Sequence, residues 1–436
     1  MEQDFQFYAA AVLFVIWSGN WIVYHVGSIC YGWWKLHRTK TPIPPATGCW
    51  PGVSVIKPLV GVDPNLMLNL ETFFTMSYPF YEILFCIHDK GDPCIQIVEE
   101  LRRRYPHVDS RVFIGGKKVG ANPKINNIFP GYQAAKYDLI LISDSGIRMK
   151  ADTLMDMVQH MTGRVGLVHQ LPYVCERRGF PAAMEKEFFG TLQARVYLFA
   201  EFYGLNCLTG MSFIVKKEIL EDLGGLQIFS CYLAEDFFMA KAIRSKGYQL
   251  TISSQPAWQN AGSPQISALH ERLVRWAQLR FAMTPHMTII EPIFECMFIG
   301  AIGSWAARVL FGWNPLFFFL LHSLSWLILD WILLSIVNKG GKPMNKFQFL
   351  VCWILRESTS LLVYLRAFST PSIRWRRGTY RLRWGGRVKE ASTNPHSIRS
   401  SDRLPKASNI SVGQSVHLFN CNSMSRTALS VIGYQE

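Results

Sequence analysis

The sequence predicts an α/β protein that is held in a membrane by helices near both ends of the chain. Three observations point to this class. Residues 5–33 contain no Lys, Arg, Asp or Glu, and three further apolar blocks follow residue 286. Between residues 51 and 286, strand-like and helix-like runs alternate, which is typical of a mostly parallel sheet with helices on both faces.

The first apolar block is long enough to cross a hydrocarbon core of about 30 Å. It does not fit a cleaved signal peptide, because Glu2 and Asp4 precede it, it is too long, and no small-residue cleavage site follows. Lys35, Arg38 and Lys40 come directly after the block. The positive-inside rule therefore predicts a lumenal N-terminus and a cytosolic chain from residue 40 onward.

Three apolar blocks near the C-terminus predict further membrane segments. They are Met287–Trp313, Leu316–Val337 and Phe347–Leu365. The last block contains Arg356 and Glu357, whose charges are costly in hydrocarbon, which favours a re-entrant or interfacial segment. Basic stretches lie on both sides of this block, at residues 338–346 and 374–389. We therefore expect three complete membrane crossings and one partial one.

Composition divides the whole chain into segments. We predict an N-terminal anchor at 1–40, a Pro-rich linker at 41–50, a cytosolic globular domain at 51–286, membrane segments at 287–369, a basic juxtamembrane segment at 370–390 and a disordered Ser- and Asn-rich tail at 391–436. The predicted strands are GVSVIKPL, YEILFCIH, DLILIS, GLVHQLPY and LTGMSFIV. The predicted helices include CIQIVEELRRRY and ADTLMDMVQHMT.

The formal charge of +14 does not predict a nucleic-acid partner. Much of the excess lies between Arg374 and Lys389, where attraction to anionic lipid at the cytosolic face of a bilayer explains it. No nucleic-acid-binding motif accompanies the charge. The ten cysteines show no CxxC or metal-ligand spacing, as expected in a reducing compartment.

Acidic residues follow two of the predicted strands. Asp89 and Asp92 follow ILFCIH, and Asp144 follows DLILIS. Taken singly, each acid fits a helix cap or an Asx turn equally well. Because ligands of doubly wound sheets bind beyond the carboxyl ends of the strands, two such acids also suit one shared site.

Sugar-nucleotide chemistry needs acids of this kind. A carboxylate can hold a divalent cation against the diphosphate leaving group, a second can accept hydrogen bonds from the nucleoside, and a third can take the proton of an incoming hydroxyl. The sequence offers Asp92, Asp144 and Asp236 in that order along the chain. Asp236 follows Glu235 in the apolar run LAEDFFMAKAI, where the start of a helix would place both acids near the positive end of its dipole.

Two further segments carry alternative interpretations. The run Ile114–Asn127 contains Lys117, Lys118 and Lys124 with several glycines, which fits either a ligand-binding loop or a basic surface hairpin. It lacks the spacing of a phosphate-binding P-loop. The run ERLVRWAQLR places Arg272, Arg275 and Trp276 on one helix, which suits either a diphosphate site or an amphipathic helix on the membrane surface.

At this point the chain resembles a known family, the ceramide glucosyltransferases within the inverting GT-A-type glycosyltransferases of the family 2/21 group. The likeness covers residues 1–388 and rests on runs such as RVFIGGKKVGANPKINN, GLVHQLPY and AEDFFMAKAI. The group's signature of three aspartates followed by (Q/R)xxRW falls on Asp92, Asp144, Asp236 and the RLVRW run at 272–276.

The resemblance implies a GT-A fold, a UDP-glucose donor, a ceramide acceptor in the lipid bilayer, a β-glucosylceramide product and a cytosol-facing site in the Golgi or ER membrane. It implies that Asp92 holds the nucleotide, that Asp144 holds the diphosphate or a divalent cation (Mg²⁺ or Mn²⁺), and that Asp236 is the general base. Arg272, Arg275 and Trp276 would close over the diphosphate. A homo-oligomer is left open.

Two departures from the family pattern bear on these roles. Ser145 and Gly146 follow Asp144, so the DxD motif of many GT-A enzymes is missing and the metal requirement is less secure. Gln193 stands where close relatives carry His, in an aromatic segment suited to a lipid entrance. The alternative functions are another membrane glycosyltransferase, such as a polysaccharide synthase or an enzyme with a different sugar or lipid, and an inactive scaffold.

Overall fold

The computed structural model describes residues 2–37, 48–339, 344–370, 372–375 and 378–390. Most of the predicted linker and the whole predicted tail lie outside the described residues. The strands are β1 Val53–Leu59, β2 Tyr81–Ile87, β3 Ser110–Ile114, β4 Leu139–Ser143, β5 Ile147–Arg148, β6 Val165–His169, β7 Pro172–Val174, β8 Ser212–Lys216, β9 Gln249–Ile252, β10 Ala257–Gln259, β11 Ser372–Trp375, β12 Gly378–Leu382 and β13 Val388–Glu390.

The α-helices of the described residues are numbered in chain order. They are α1 Glu2–Gly19, α2 Gly27–His37, α3 Leu66–Phe74, α4 Cys94–Arg104, α5 Pro123–Ala134, α6 Thr153–Gln159, α7 Phe180–Gly190, α8 Leu192–Phe202, α9 Lys217–Asp222, α10 Glu235–Ser245, α11 Ile266–Met283, α12 Pro285–Ile290, α13 Cys296–Phe311, α14 Pro315–Val337 and α15 Lys346–Ser369.

The central sheet has seven strands in the order β3-β2-β1-β4-β8-β6-β9. β1, β2, β3 and β4 run parallel, as do β6 and β9, and only β8 is antiparallel to its neighbours. Alternate side chains along a strand point to opposite faces, and two large apolar clusters accordingly cover the two faces. The predicted α/β class with a mainly parallel sheet is confirmed.

Two smaller sheets accompany the central one. β10 pairs with β5 and β7, which brings the strand before α11 next to the turn that follows β4. The other sheet consists of β11, β12 and β13, all antiparallel, and lies in the segment that follows α15. The sequence had predicted this segment only as a basic juxtamembrane stretch.

Helices that are long and apolar enough to cross a membrane occur near both ends of the chain. α1, a π-helical turn at Asn20–Val26 and α2 form one continuous helical run of 36 residues. α14 is a second such helix, and the pair Pro285–Phe294 and Cys296–Phe311, bent by 65°, makes a third if it is counted as one span. The expectation of apolar spanning helices at both ends is confirmed, while the number of crossings stays a prediction.

The charged pair in α15, Arg356 and Glu357, faces the protein interior. Arg356 contacts Asp330 of α14 and Glu187 of α7, each at 2.9 Å, and both residues of the pair are buried. Asp330 also binds Arg195 of α8. The cost of burying these charges is therefore offset by pairing, and the pairing joins α14 and α15 to α7 and α8.

Candidate active site

Asp92 lies at the start of α4, where the sequence predicts a nucleotide ligand. Its Oδ2 accepts the backbone N–H of Gly61 at 2.7 Å, and its Oδ1 accepts the backbone N–H of Cys94 at 2.9 Å. Asp92 is 9% exposed. Both oxygens thus bind backbone amides and hold the loop after β1 against α4, as an aspartate at a helix start does. The nucleotide-binding role of Asp92 stays a prediction.

Asp144 lies just beyond the carboxyl end of β4 with a half-exposed side chain. Its main-chain carbonyl accepts a hydrogen bond from the Lys57 ammonium at 2.7 Å. Lys57 is fully buried, and burial holds its pKa well below the usual value. The backbone at Asp144 is therefore anchored from inside the sheet, while the carboxylate remains open to a ligand.

Lys124 is the residue on which the acids of the site converge. Its ammonium lies 3.1 Å from Asp144 Oδ1 and 3.3 Å from Glu235 Oε1, and it donates to the Gly210 carbonyl at 2.7 Å. Burial disfavours the charged form, but the nearby carboxylates of Asp144, Glu235 and Asp236 outweigh burial and raise the pKa of Lys124. Lys124 is therefore a fixed positive charge at the centre of the site.

The placement of Lys124 follows from the start of α5. Asn122 caps this helix, since its side-chain Oδ1 accepts the backbone N–H groups of Lys124 and Ile125. The amide of Asn122 also donates to Glu235 Oε2 at 2.9 Å. The second half of the predicted basic run is thus a capped helix that reaches into the site.

Asp236 lies in the first turn of α10, as predicted. Its Oδ2 accepts the backbone N–H of Gly210 at 2.5 Å, and its Oδ1 accepts that of Phe237 at 2.8 Å. Burial is the main cause that raises the pKa of Asp236 to about 7, the neighbouring Glu235 carboxylate adds to it, and the Lys124 ammonium opposes it. A carboxylate with a pKa near neutrality can accept a proton efficiently in a reaction.

The two arginines of α11 differ in their surroundings. Arg272 donates to Glu185 Oε1 at 2.7 Å and to Gln259 Oε1 at 3.1 Å, so it is engaged with α7 and β10. Arg275 forms no hydrogen bond or ion pair with any residue that the structure describes. Trp276 packs edge-on against Phe189 of α7 with ring centroids 6.1 Å apart. Of the predicted diphosphate ligands, Arg275 is the cation that is free to bind an anion.

The described residues offer few ligands for the predicted divalent cation. Across the described ranges there is no group of three or more His, Cys, Asp or Glu side chains that could hold a metal ion. Asp144 offers one half-exposed carboxylate, with Lys124 already beside it. These residues do not form a complete metal site by themselves. They fit an ion that is bound partly by Asp144 and partly by the oxygens of a diphosphate, because Mg²⁺ often takes only one or two carboxylates beside substrate phosphates.

The structure thus brings Asp144 and Asp236 to one place and adds residues that sequence reasoning had not singled out. These are Lys57 and Gly210, which contact the two aspartates or their partner Lys124. Glu235, predicted only as an acid at the start of a helix, also contacts Lys124. The glycine in LTGMS was a usable signal. A Cβ at Gly210 would lie 3.1 Å from both Asp236 Oδ2 and Lys124 Nζ, so this position needs a small residue.

The family assignment follows from comparison with known proteins. The family model described as glycosyl transferase family 21 matches residues 20–388. The chain belongs to glycosyl transferase family 21. The family resemblance inferred from the aspartates and the RLVRW run is therefore confirmed.

This family 21 glycosyltransferase is similar to curated proteins along most of its length. Ceramide glucosyltransferase 1 of Caenorhabditis elegans is 39% identical over 391 residues, which cover 89% of this chain and 82% of the relative. Ceramide glucosyltransferase 3 of the same organism is 40% identical over 366 residues, 84% of this chain and 79% of the relative. The ceramide glucosyltransferase of Komagataella phaffii is 26% identical, with 80% and 85% of the two chains covered.

Solved structures similar to the family 21 chain are more distant. A mannosyltransferase of Pyrobaculum calidifontis in complex with GDP-Man and Mn²⁺ has a TM-score of 0.46 at 17% identity, over 78% of this chain and 100% of the other. Residues 1–349 of S. aureus TarS in complex with UDP-GlcNAc have a TM-score of 0.35 at 15% identity, over 78% and 99% of the chains.

Proposed function

We propose that this family 21 glycosyltransferase transfers glucose from UDP-glucose to the primary hydroxyl of ceramide with inversion, giving β-glucosylceramide. The substrate assignment is supported by two relatives of this name that are 39% and 40% identical over most of both chains. The observation that carries the mechanism is the Asp236 carboxylate, held by Gly210 beside Lys124 with a pKa near 7.

The proposed reaction is a single displacement. The ceramide oxygen forms a bond to the anomeric carbon while the bond from that carbon to the diphosphate oxygen breaks. Asp236 takes the hydroxyl proton, and UDP leaves with the bonding electron pair. Because attack and departure occur on opposite faces of the sugar, the α-linked donor gives a β-linked product.

The leaving group gains negative charge as the bond breaks, and fixed positive charge stabilises that change. Arg275 is the proposed diphosphate ligand, because no described residue competes for its guanidinium. Arg272, held by Glu185 and Gln259, keeps α11 in place and presents Arg275 and Trp276. A divalent cation bound by Asp144 and the diphosphate would supply further charge neutralisation. Asp92 is proposed to orient the nucleoside through the loop that it holds.

A lipid acceptor is supported by the surface next to Gly210. The end of α8 and the turn after it expose the apolar side chains of Phe202, Tyr203 and Leu205. Phe202 contacts Tyr31 of α2 with ring centroids 5.4 Å apart, so this patch continues the surface of the N-terminal membrane helix. The chain then runs from Leu205 to Gly210, which binds Asp236. A bilayer lipid can therefore approach the proposed base along an apolar surface.

Gln193, the residue that departs from the family pattern, lies on this same side of the site. Gln193 and Thr209 both form side-chain hydrogen bonds with Tyr197 of α8. Tyr197 is buried, and it lies near enough to Asp236 to feel its charge. We propose that residue 193 affects acceptor preference through Tyr197.

The proposed setting is a Golgi or ER membrane with a lumenal N-terminus and a cytosolic active site. Lys35, at the end of the first candidate span, pairs with Glu201 of the globular domain at 2.9 Å. The domain is therefore joined directly to the side of the span that carries the positive charge, as the positive-inside rule requires of a cytosolic domain.

One experiment tests donor, acceptor and cation together. Detergent-solubilised protein is incubated with ceramide and a panel of radiolabelled UDP-sugars, with and without EDTA. The expected result is one glycolipid, extractable into organic solvent, from UDP-glucose, with the product formed more slowly when EDTA is present. Polymer formation would favour a polysaccharide synthase, a different preferred sugar would correct the donor, and an unchanged rate in EDTA would remove the cation from the proposal.

A further inference from the structure

The chain that follows α15 returns to the globular domain and covers two helices of the site. Ile373 of β11 and Tyr380 of β12 pair across the small sheet, and both are buried against Leu233, which precedes α10. Leu279 of α11 packs against the same cluster. We call the strands β11, β12 and β13, with the turns that the structure describes between them, the C-terminal clasp.

Hydrogen bonds fix the clasp to both helices. The backbone N–H of Gly385 donates to the carbonyl of Ala282 in α11 at 2.9 Å. Arg387 forms an antiparallel bridge with Tyr232, three residues before α10 begins. The Gln278 side chain of α11 donates to the carbonyl of Thr370, two residues before the clasp begins, at 2.8 Å. These bonds link the clasp and Thr370 before it to α11 and to the segment that leads into α10.

Gly386 lies where the clasp packs against side chains of both helices. Its φ is +76°, and a Cβ at this position would lie 2.8 Å from the Phe238 ring and 2.8 Å from Met283 Cγ. Phe238 belongs to the first turn of α10 and stacks on Tyr232 with ring centroids 3.7 Å apart. Gly386 therefore packs against a ring of α10 and a side chain of α11, with no space for a larger residue.

We propose that the C-terminal clasp sets the position of α10 relative to α11, and that Gly386 is a positioning residue for Asp236 that acts through Phe238. The role of Asp236 in this statement rests on the proposed function. Phe238 follows Asp236 by two residues in the same helical turn, so a backbone shift of this turn that relieves a clash with the ring also moves the carboxylate. A misplacement of a catalytic group by about 1 Å can lower the rate about 10²-fold. The clasp can therefore affect the rate without contacting the substrate.

The central test compares two glycine substitutions. Gly386→Ala introduces the contact with Phe238 and Met283, whereas Gly247→Ala introduces similar backbone strain, at φ +84°, with nothing within 4 Å. Gly247 lies just past the other end of α10, after the C-cap residue Lys246. We expect Gly386→Ala to lower kcat about 10- to 100-fold with little change in the KM for the donor. Gly247→Ala should stay near the wild-type kcat.

Rescue distinguishes positioning from general damage. Phe238→Leu shortens the side chain that the new Cβ would meet, so the double variant Gly386→Ala/Phe238→Leu should recover part of the lost kcat. Val388→Ala trims a half-buried side chain of the clasp without creating a clash and should lower kcat by a smaller factor. The clasp proposal is overturned if Gly386→Ala and Gly247→Ala have equal kcat. It is also overturned if Val388→Ala keeps the wild-type kcat and the double variant recovers none of the kcat lost in Gly386→Ala.

Hydrogen exchange provides a readout that does not depend on the reaction. In Gly386→Ala, amides in the first turn of α10 and the last turn of α11 should exchange faster than in Gly247→Ala, with the central sheet unchanged. If wild-type protein makes no glucosylated ceramide, the proposed function fails while the exchange measurement still tests the clasp. Equal exchange at both helix ends in the two variants contradicts the clasp, whatever the activity.

Discussion

Gly210 binds Asp236 through its backbone N–H, at 2.5 Å from Oδ2, while its carbonyl accepts from Lys124 at 2.7 Å. One peptide segment thus fixes the proposed base and the cation that lowers the pKa of that base. Burial and the Glu235 carboxylate raise the pKa of Asp236 to about 7, while the Lys124 ammonium opposes them, so the opposing charge can be removed by substitution without changing the acid.

Asp236→Asn removes the proposed base but keeps the size of the side chain. General-base assistance is worth about 10²–10⁴-fold, so turnover should fall by that factor while UDP binding stays almost unchanged. Asp222→Asn, at an exposed position in α9, is the control and should retain wild-type turnover. Wild-type turnover in Asp236→Asn would show that another group takes the proton.

The pH dependence follows from the pKa of Asp236. Because a base must be ionised, kcat/KM should fall as the pH drops below about 7 and should level off above it. Lys124→Met removes a positive charge that favours the ionised form, so the acidic limb should move to higher pH by about one unit or more. Lys117→Met, an exposed lysine of the same basic run, serves as the control. An unshifted limb in Lys124→Met would contradict the coupling.

Substitutions of the two arginines of α11 should have different effects on UDP binding and on the melting temperature. Arg275→Gln should weaken UDP binding about 10- to 100-fold, the worth of charge-assisted hydrogen bonds, and leave the melting temperature unchanged. Arg272→Gln breaks the contact with Glu185 and should lower the melting temperature as well. Calorimetry with UDP and thermal unfolding in detergent measure the two effects. Identical behaviour of the two variants would refute this division of roles.

Arg356→Leu tests the buried charges that join α15 to α7 and α14. Removing one partner leaves Asp330 and Glu187 short of a cation, and breaking such a buried pair costs about 3–5 kcal/mol. Arg366→Leu, at an exposed position on the same helix, should have little effect. Equal melting temperatures in detergent would mean that the pairing does not hold the two parts together.

Much of the fold was predictable because its signals are local. β1, β2 and β4 and the helices α4 and α10 were predicted from apolar periodicity and from acids at a helix start. The antiparallel direction of β8 was not predictable, because a buried strand has the same composition in either direction. The strands of the C-terminal clasp were also missed, since a high density of arginine indicated a lipid-facing segment and masked the alternation of Ile373 and Tyr380.

The candidate site was predictable only in part. Asp144, Asp236 and Arg275 were proposed from their residue type, their order along the chain and the family resemblance, and their roles stay predictions. The same reasoning could not distinguish Asp92, whose oxygens bind two backbone amides, from an acid that is open to a ligand. It also could not separate Arg272 from Arg275, because the partners of Arg272 lie on α7 and β10, far away in sequence.

The sequence by itself determined the α/β class and the apolar segments near both ends of the chain, and it supplied the candidate reactive groups. These properties depend on the transfer free energy of short segments, on local periodicity and on side-chain chemistry. Only the tertiary structure decided that Lys124 lies among Asp144, Glu235 and Asp236, and that Gly386 packs against both Phe238 and Met283. Such contacts join residues that are distant along the chain, and their free energy depends on packing and burial, which no local pattern encodes.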